Sequence, residues 1–326
     1  MINRRKLLSL CAAAAAFGLT AGTAAAQTAT AWPEKPVRIL VSFPPGGSSD
    51  LVARLLAKEL GEKLGQQFIV ENKPGAAGTV AAMALKDAAN DGYTFMLSNL
   101  TPFSVAPTRF PDTPYDPLTD FTHVSYIGTV HLGLFVRPGL GVADLESFIA
   151  LAKDKPDSLD YGTSGVGSWG HIVSVDFTDK TATKLVHIPY KGSGPMRLDF
   201  RADVVGAMFD AIPQNLPAVA DNEAIPLAVT ATERIDTLPD TPTFRELGYD
   251  IVAENWLGFS APADLDPEIS AKLDTTLQEV MALPQVDAQF ETWGIIRSTK
   301  TTAEFSDYVA RQFEDWKPLV MKAAGK

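Results

Sequence analysis

Two glycine-rich turns hold the residues best suited to bind an anion. The first is Phe43-Pro-Pro-Gly-Gly-Ser-Ser-Asp50, the second Tyr161-Gly-Thr-Ser-Gly-Val-Gly-Ser-Trp-Gly-His171. Each follows a short apolar run and opens a helical pattern. Such a turn aims unpaired backbone N–H groups, and the positive end of a helix dipole, at whatever lies in front of it. In the first turn Pro44 and Pro45 stiffen the approach, Gly46 and Gly47 let the backbone come close to a ligand, and Ser48 and Ser49 add hydroxyl donors. Asp50 would repel an anion if it pointed inward; its other role is to cap backbone N–H groups or order the loop.

The second turn formally contains a dinucleotide fingerprint, Gly165-x-Gly167-x-x-Gly170. That reading needs a ribose-binding acid about 20 residues further on, where Ile188, Pro189 and Tyr190 stand instead. Ser168, His171 and Asp176 do not make a hydrolytic triad, because two of them sit three apart on one helix and no G-x-S-x-G elbow is present. The four histidines (123, 131, 171 and 187) form no H-x-x-x-H pair. Neither a metal nor a cofactor is expected. His171 fits either a helix-start cap or a ligand contact. Lys191, in the third turn His187–Pro195, is either the one cation near the site or a solvated side chain. Asp210, at the end of an apolar strand, either fixes water or a ligand ammonium, or caps the next helix.

The elements around these turns alternate strand and helix. Val37–Phe43, Phe68–Glu71 and Tyr93–Leu97 read as strands, with helices from Ser49 or Asp50 to Leu60 and from Thr79 to Ala89. That order implies a parallel sheet whose ligands lie at strand carboxyl ends, where the first turn and Ser98-Asn99 fall. A second α/β unit follows the Asp112–Asp120 connector. In it Val124–Thr129 and Leu132–Val136 are expected as two strands, and Ser168–Phe177 as a helix. The tail is helical over Pro267–Leu283, Pro284–Thr292 and Thr302–Ala323.

Residues 1–26 read as a secretory signal peptide: a basic Arg4-Arg5-Lys6, an apolar run from Leu7 to Leu19, and Ala24-Ala25-Ala26 before Gln27. The route is Sec, or twin-arginine given Arg4-Arg5. The only cysteine, Cys11, lies inside it. The chain has 28 basic residues, three of them in that segment, against 39 acidic ones. The acidic excess excludes nucleic acid as a partner and leaves short-range backbone donors, not a basic field, to bind any anion.

Taken in order, several segments resemble the solute receptors of tripartite tricarboxylate transporters, the Bug family. They are Lys35–Asp50, Val70-Glu-Asn-Lys-Pro-Gly75, Asp91-Gly-Tyr-Thr94, Tyr115-Asp-Pro117, Ser164–Ser168, His187–Gly192, Leu227–Thr230, Pro242-Thr243 and Trp256-Leu-Gly258. The resemblance spans the chain after residue 26. It implies an α/β, two-lobed periplasmic binding protein of the type 2 Venus-flytrap kind, each lobe a mostly parallel sheet flanked by helices. Residues 27–127 with 253–326 would form one lobe and 128–252 the other. It further implies a monomer that is not an enzyme, closing on a small carboxylate and handing it to integral membrane transporter subunits; a sensor that signals to a membrane kinase has the same sequence features. The implied ligand-binding residues are Phe43, Pro45, Gly46, Gly47, Ser48, Ser49, Asp50, Ser164, Gly165, Gly167, Ser168 and Asp210. Ser98, Asn99, Thr101, Phe103, Trp169 and His171 are candidates for the ligand's far end. An aliphatic di- or tricarboxylate and an aromatic acid fit equally, since Trp169 suits either ligand contact or packing. Phe200-Arg-Ala-Asp203 departs from the glycine-rich turn usual at that place.

Overall fold

The computed structural model describes residues 32–325; the expected signal peptide and Cys11 lie outside them. Strands β1 (Val37–Val41), β2 (Phe68–Asn72) and β3 (Thr94–Asn99) alternate with helices α1 (Ser48–Leu64) and α2 (Thr79–Lys86). A single π turn, Thr101–Val105, and the short α3 (Ala106–Arg109) lead to a long strand, β4 (Phe121–Val136). The second unit runs α4 (Leu145–Asp154), β5 (Asp160–Thr163), α5 (Trp169–Thr181), β6 (Val186–Pro189), α6 (Ser193–Arg201), β7 (Ala207–Ala211), α7 (Leu216–Ala220) and β8 (Ile225–Val229). The chain returns through β9 (Glu254–Pro262) and ends in α8 (Pro267–Met281), α9 (Pro284–Trp293), β10 (Ile296–Arg297) and α10 (Thr302–Ala323).

Strand order is β2-β1-β3-β9-β4-β7-β5-β6, with β8 and β10 also on β4. β1 pairs in parallel with β2 and β3, and β5 with β6 and β7, so each βα unit keeps the parallel pairing its crossover helix requires. β9 and β4 run antiparallel between these two groups. β4 joins the two halves. Phe121 to His131 pair with β9, and Leu132 to Val136 pair with β7. The two strands expected at Val124–Thr129 and Leu132–Val136 are therefore one. Val130 and His131 are buried and keep the ladder unbroken, although the histidine interrupts the apolar pattern.

Helix ends follow their start signals, with one exception. Asp144 accepts the N–H of Ser147 in a capping box on α4, and Thr301 does the same with Glu304 on α10. The cap of α1, by contrast, is Gly47, with no side-chain bond, and not Ser49 or Asp50. Its first amides are left without an acceptor of their own. Beneath the first sheet Phe103 packs edge-on to Phe121 at 5.0 Å, and Trp256 meets Phe305 at 5.5 Å. Phe177 and Phe209 meet at 5.4 Å in the second core. Asp203 takes the left-handed backbone (φ 61°) where a glycine-rich turn was the pattern, so α6 still ends there, on an aspartate.

Candidate functional site

A cavity of about 50 Å³ lies where the two glycine turns face each other. Phe43, Pro44, Gly47, Ser48 and Ser49 line it from the first turn and α1; Ser164, Trp169 and Gly170 line it from the second turn and α5. Ser193 at the start of α6, Asp210 on β7, Gln214, Thr101 and Asn255 complete the polar wall. A larger cavity of about 390 Å³ shares Phe43, Pro44 and Ser164 with it and continues past Gly165, Ser168, Tyr190 and Lys191.

Three helices begin at this wall. α1 and α6 are capped by glycines, Gly47 and Gly192, that offer no side-chain acceptor to the first amides. On α5 the Ser168 hydroxyl takes only the N–H of His171. Three positive helix ends thus meet at one cavity, and no lysine, arginine or histidine lines the smaller chamber. Its one ionisable side chain is Asp210. That carboxylate accepts the Ser193 hydroxyl at 2.7 Å and the Asn215 amide at 2.9 Å. Burial pushes its pKa above the ordinary 3.8, against the pull of those donors and of the Arg197 charge. Trp169 Nε1 and Gln214 Oε1 are buried with no hydrogen-bond partner in the protein, leaving one donor and one acceptor unspent at the wall.

The remaining expected residues serve the frame. Asp50 accepts the Gly46 N–H at 3.0 Å and a bond from Asn72 at 2.9 Å, and it pairs with Arg54 at 2.9 Å. Burial alone would raise its pKa, but those donors hold it below 3.8. The carboxylate thus orders the turn by fastening Gly46, the second of its two expected roles. Ser98 donates to the Gly258 carbonyl at 2.9 Å and accepts from Ser260 at 2.8 Å. Asn99 donates to Ser42 at 3.1 Å and accepts the Thr101 N–H at 3.1 Å. The amides of Gly165, Gly167 and Ser168 are spent within the turn, on Thr163 Oγ1, His171 Nδ1 and the Gly165 carbonyl. Pro45, Gly46, Asp50, Ser98, Asn99, Gly167 and His171 line neither of these two cavities. His171 stacks on His187 at 4.5 Å, and His187 on Tyr161 at 5.1 Å.

Ser193, Gln214 and Asn255 were not anticipated. The first carried a signal, since it opens a helix behind a third glycine turn. Asn255 is held by tertiary pairing, its side-chain oxygen taking the Leu100 N–H at 3.0 Å, and nothing local marks it.

Two α/β lobes around a cleft that gathers helix N-termini define a solute-binding protein of the periplasmic type. The chain belongs to the TctC family, the tripartite tricarboxylate transporter family receptors, whose sequence profile matches residues 52–324. Protein BugT of Bordetella pertussis is 34% identical over 312 residues, 95% of this chain and 96% of that protein. Among solved structures, an R. palustris protein with adipate is 32% identical, with TM-score 0.86 over 90% of this chain and 98% of that one. MatC from Rhodopseudomonas palustris with bound malate is 28% identical, with TM-score 0.82 over 89% and 100%. The family is one of solute-binding receptors and not of enzymes. No helix among the described residues is long and apolar enough to cross a membrane.

Proposed function

We propose that this receptor captures a small aliphatic carboxylate in the cavity between its glycine turns and delivers it to the membrane subunits of a tripartite transporter. The observation that carries the reading is the meeting of three helix N-termini at a chamber without cationic side chains. In this reading one carboxylate sits against the amides opening α1, α5 and α6, with Ser48, Ser49, Ser164 and Trp169 as further donors. The rest of the ligand extends past Ser164 toward the larger cavity, and Asp210 and Gln214 accept from any hydroxyl or ammonium it carries.

Charge-assisted hydrogen bonds contribute ~1.5–3 kcal/mol each, so three or four supply the ~8 kcal/mol that micromolar capture needs. The relatives solved with adipate and with malate favour an aliphatic acid over an aromatic one. Residues 27–127 with 253–326, and 128–252, are proposed as the lobes that close. The change of partners along β4 at His131 and Leu132 supports a hinge near those limits. Export by cleavage after Ala26 belongs to the same proposal. The test is a thermal-shift series on the chain from Gln27 onward with adipate, malate and benzoate. Adipate or malate should raise Tm more than benzoate does, and no shift with any carboxylate would end this reading.

A further inference from the structure

We infer that Arg197 is a positioning residue that latches the first glycine turn across the cleft and so sets how long the closed receptor holds its ligand. Arg197 lies on α6, on the Asp210 side of the cleft, and is half-buried. Its Nη2 donates to the carbonyl of Gly46 at 3.2 Å, and its Nη1 to the carbonyl of Gln214 at 2.7 Å. Gly46 belongs to the turn that precedes α1, in the opposite lobe. Its N–H is fastened by Asp50 of its own helix, so this single residue is gripped from both sides of the cleft. Gly46 has φ of 88°, and the site of a missing Cβ lies 3.7 Å from Arg197 Nη2. The left-handed backbone turns the peptide so that its carbonyl meets the guanidinium.

The other end of the guanidinium acts on the cavity wall. Gln214 and Asp210 both line the small chamber, and the Arg197 charge opposes the upward shift of Asp210. Arg197 itself lines neither cavity, and among the described residues its hydrogen-bond acceptors are the two carbonyls and not a carboxylate. A planar guanidinium reaching two carbonyls in different lobes is a geometry lysine cannot copy, because an ammonium acts as a point charge. The neighbouring contacts show how closely the lobes approach here. A Cβ on Gly192 would fall 2.8 Å from Pro44 Cγ, and one on Gly194 3.8 Å from the Pro45 carbonyl oxygen.

Cross-linking reads this latch without any ligand. A Cβ at Gly167 would lie 3.6 Å from the Cβ of Ala77 on the facing loop, within the range a disulfide spans. The chain after residue 26 contains no other cysteine. The double variant Ala77→Cys/Gly167→Cys therefore traps closure under mild oxidation, and any strain at position 167 is common to every background compared.

With Arg197 present the pair should close readily. Arg197→Ala should slow trapping roughly tenfold, Arg197→Met by as much, and Arg197→Lys by an intermediate factor, as the loss of one charge-assisted hydrogen bond implies. The ligand-free Tm of each single Arg197 variant shows whether the fold is kept. If Arg197→Ala folds and traps at the parent rate, or if the parent pair does not trap at all, the latch is wrong.

A second measurement rests on the carboxylate reading: the dissociation rate of whichever of adipate or malate binds should rise roughly tenfold in Arg197→Ala with association little changed. Failure of both acids to bind the parent protein would count against that reading, while the trapping rates would still decide the latch.

Discussion

The N–H of Gly167 donates to Nδ1 of His171 at 3.2 Å, so the second glycine turn is closed by a neutral imidazole. Burial, with lesser contributions from His187 and Arg109, holds His171 at about 4, and burial alone holds His187 at about 4. His123, fully buried between Ser260 and the Pro117 carbonyl, is likewise at about 4. Each would take up a proton near 6.5 once unfolded. Between those values the unfolded chain binds more protons than the folded one, so stability rises with pH there. Tm should be level above pH 6.5, fall as pH drops from 6.5 toward 4, and have this cause exhausted below that. Asp210, with its raised pKa, acts in the opposite sense at the acid end. Tm measured in steps from pH 8 to 4 checks the sign, and a flat curve would contradict it.

Gly47 lines the small cavity at φ −86°, an angle open to any residue, and a Cβ there would meet only the Pro44 carbonyl oxygen at 4.0 Å. Gly47→Leu should therefore fold with Tm within a few degrees of the parent, yet lose carboxylate-induced stabilisation, because the side chain projects into the chamber. Retained stabilisation by a carboxylate that stabilises the parent would remove the first turn from the binding site.

Trp169 carries a buried indole N–H with no partner, at the cavity wall. Trp169→Phe removes the donor and keeps most of the ring. The ligand-free protein should be no less stable. A carboxylate that uses this donor should bind about 10-fold more weakly, in line with one hydrogen bond to a charged group. Isothermal titration against adipate and malate distinguishes this from a packing role, in which affinity stays and Tm falls.

Gly170 opens α5 hard against β7. A Cβ there would sit 2.5 Å from the Phe209 carbonyl oxygen, a backbone atom that cannot swing aside. Gly170→Ala should cost about 1–3 kcal/mol through overpacking, read as a lower urea midpoint with unchanged m-value. This glycine is therefore a packing requirement, the role that the third glycine of a G-x-G-x-x-G turn has between strand and helix whether or not a nucleotide binds.

The fold was largely legible in the order of local signals. Apolar strands ending in proline and glycine turns, and capping boxes at Asp144 and Thr301, place most elements within a few residues. The continuity of β4 was not legible. His131 breaks its apolar pattern, and only pairing with Glu254 of β9 on one side of the break and with β7 on the other makes a single strand. In the site, Ser48, Ser49, Ser164, Trp169 and Asp210 come together as the turn chemistry implies. Asp50 and His171 belong to the turns, and Ser98 and Asn99 end the strand β3 that pairs with β1, but all four are bonded into the frame, because each finds a partner in Gly46, Gly258, Ser42 or Gly167.

What the sequence determined by itself was the two anion-seeking turns, since glycine, proline and a following helix start are local properties of the chain. What tertiary structure decided was which of their donors remain free. Gly165 and Gly167 spend their amides on Thr163 and His171, whereas Gly47 and Gly192 leave α1 and α6 uncapped at the same wall. A hydrogen bond claims a donor only when folding brings an acceptor within reach: the second turn folds its own Thr163 and His171 onto its amides, whereas no side chain caps α1 or α6.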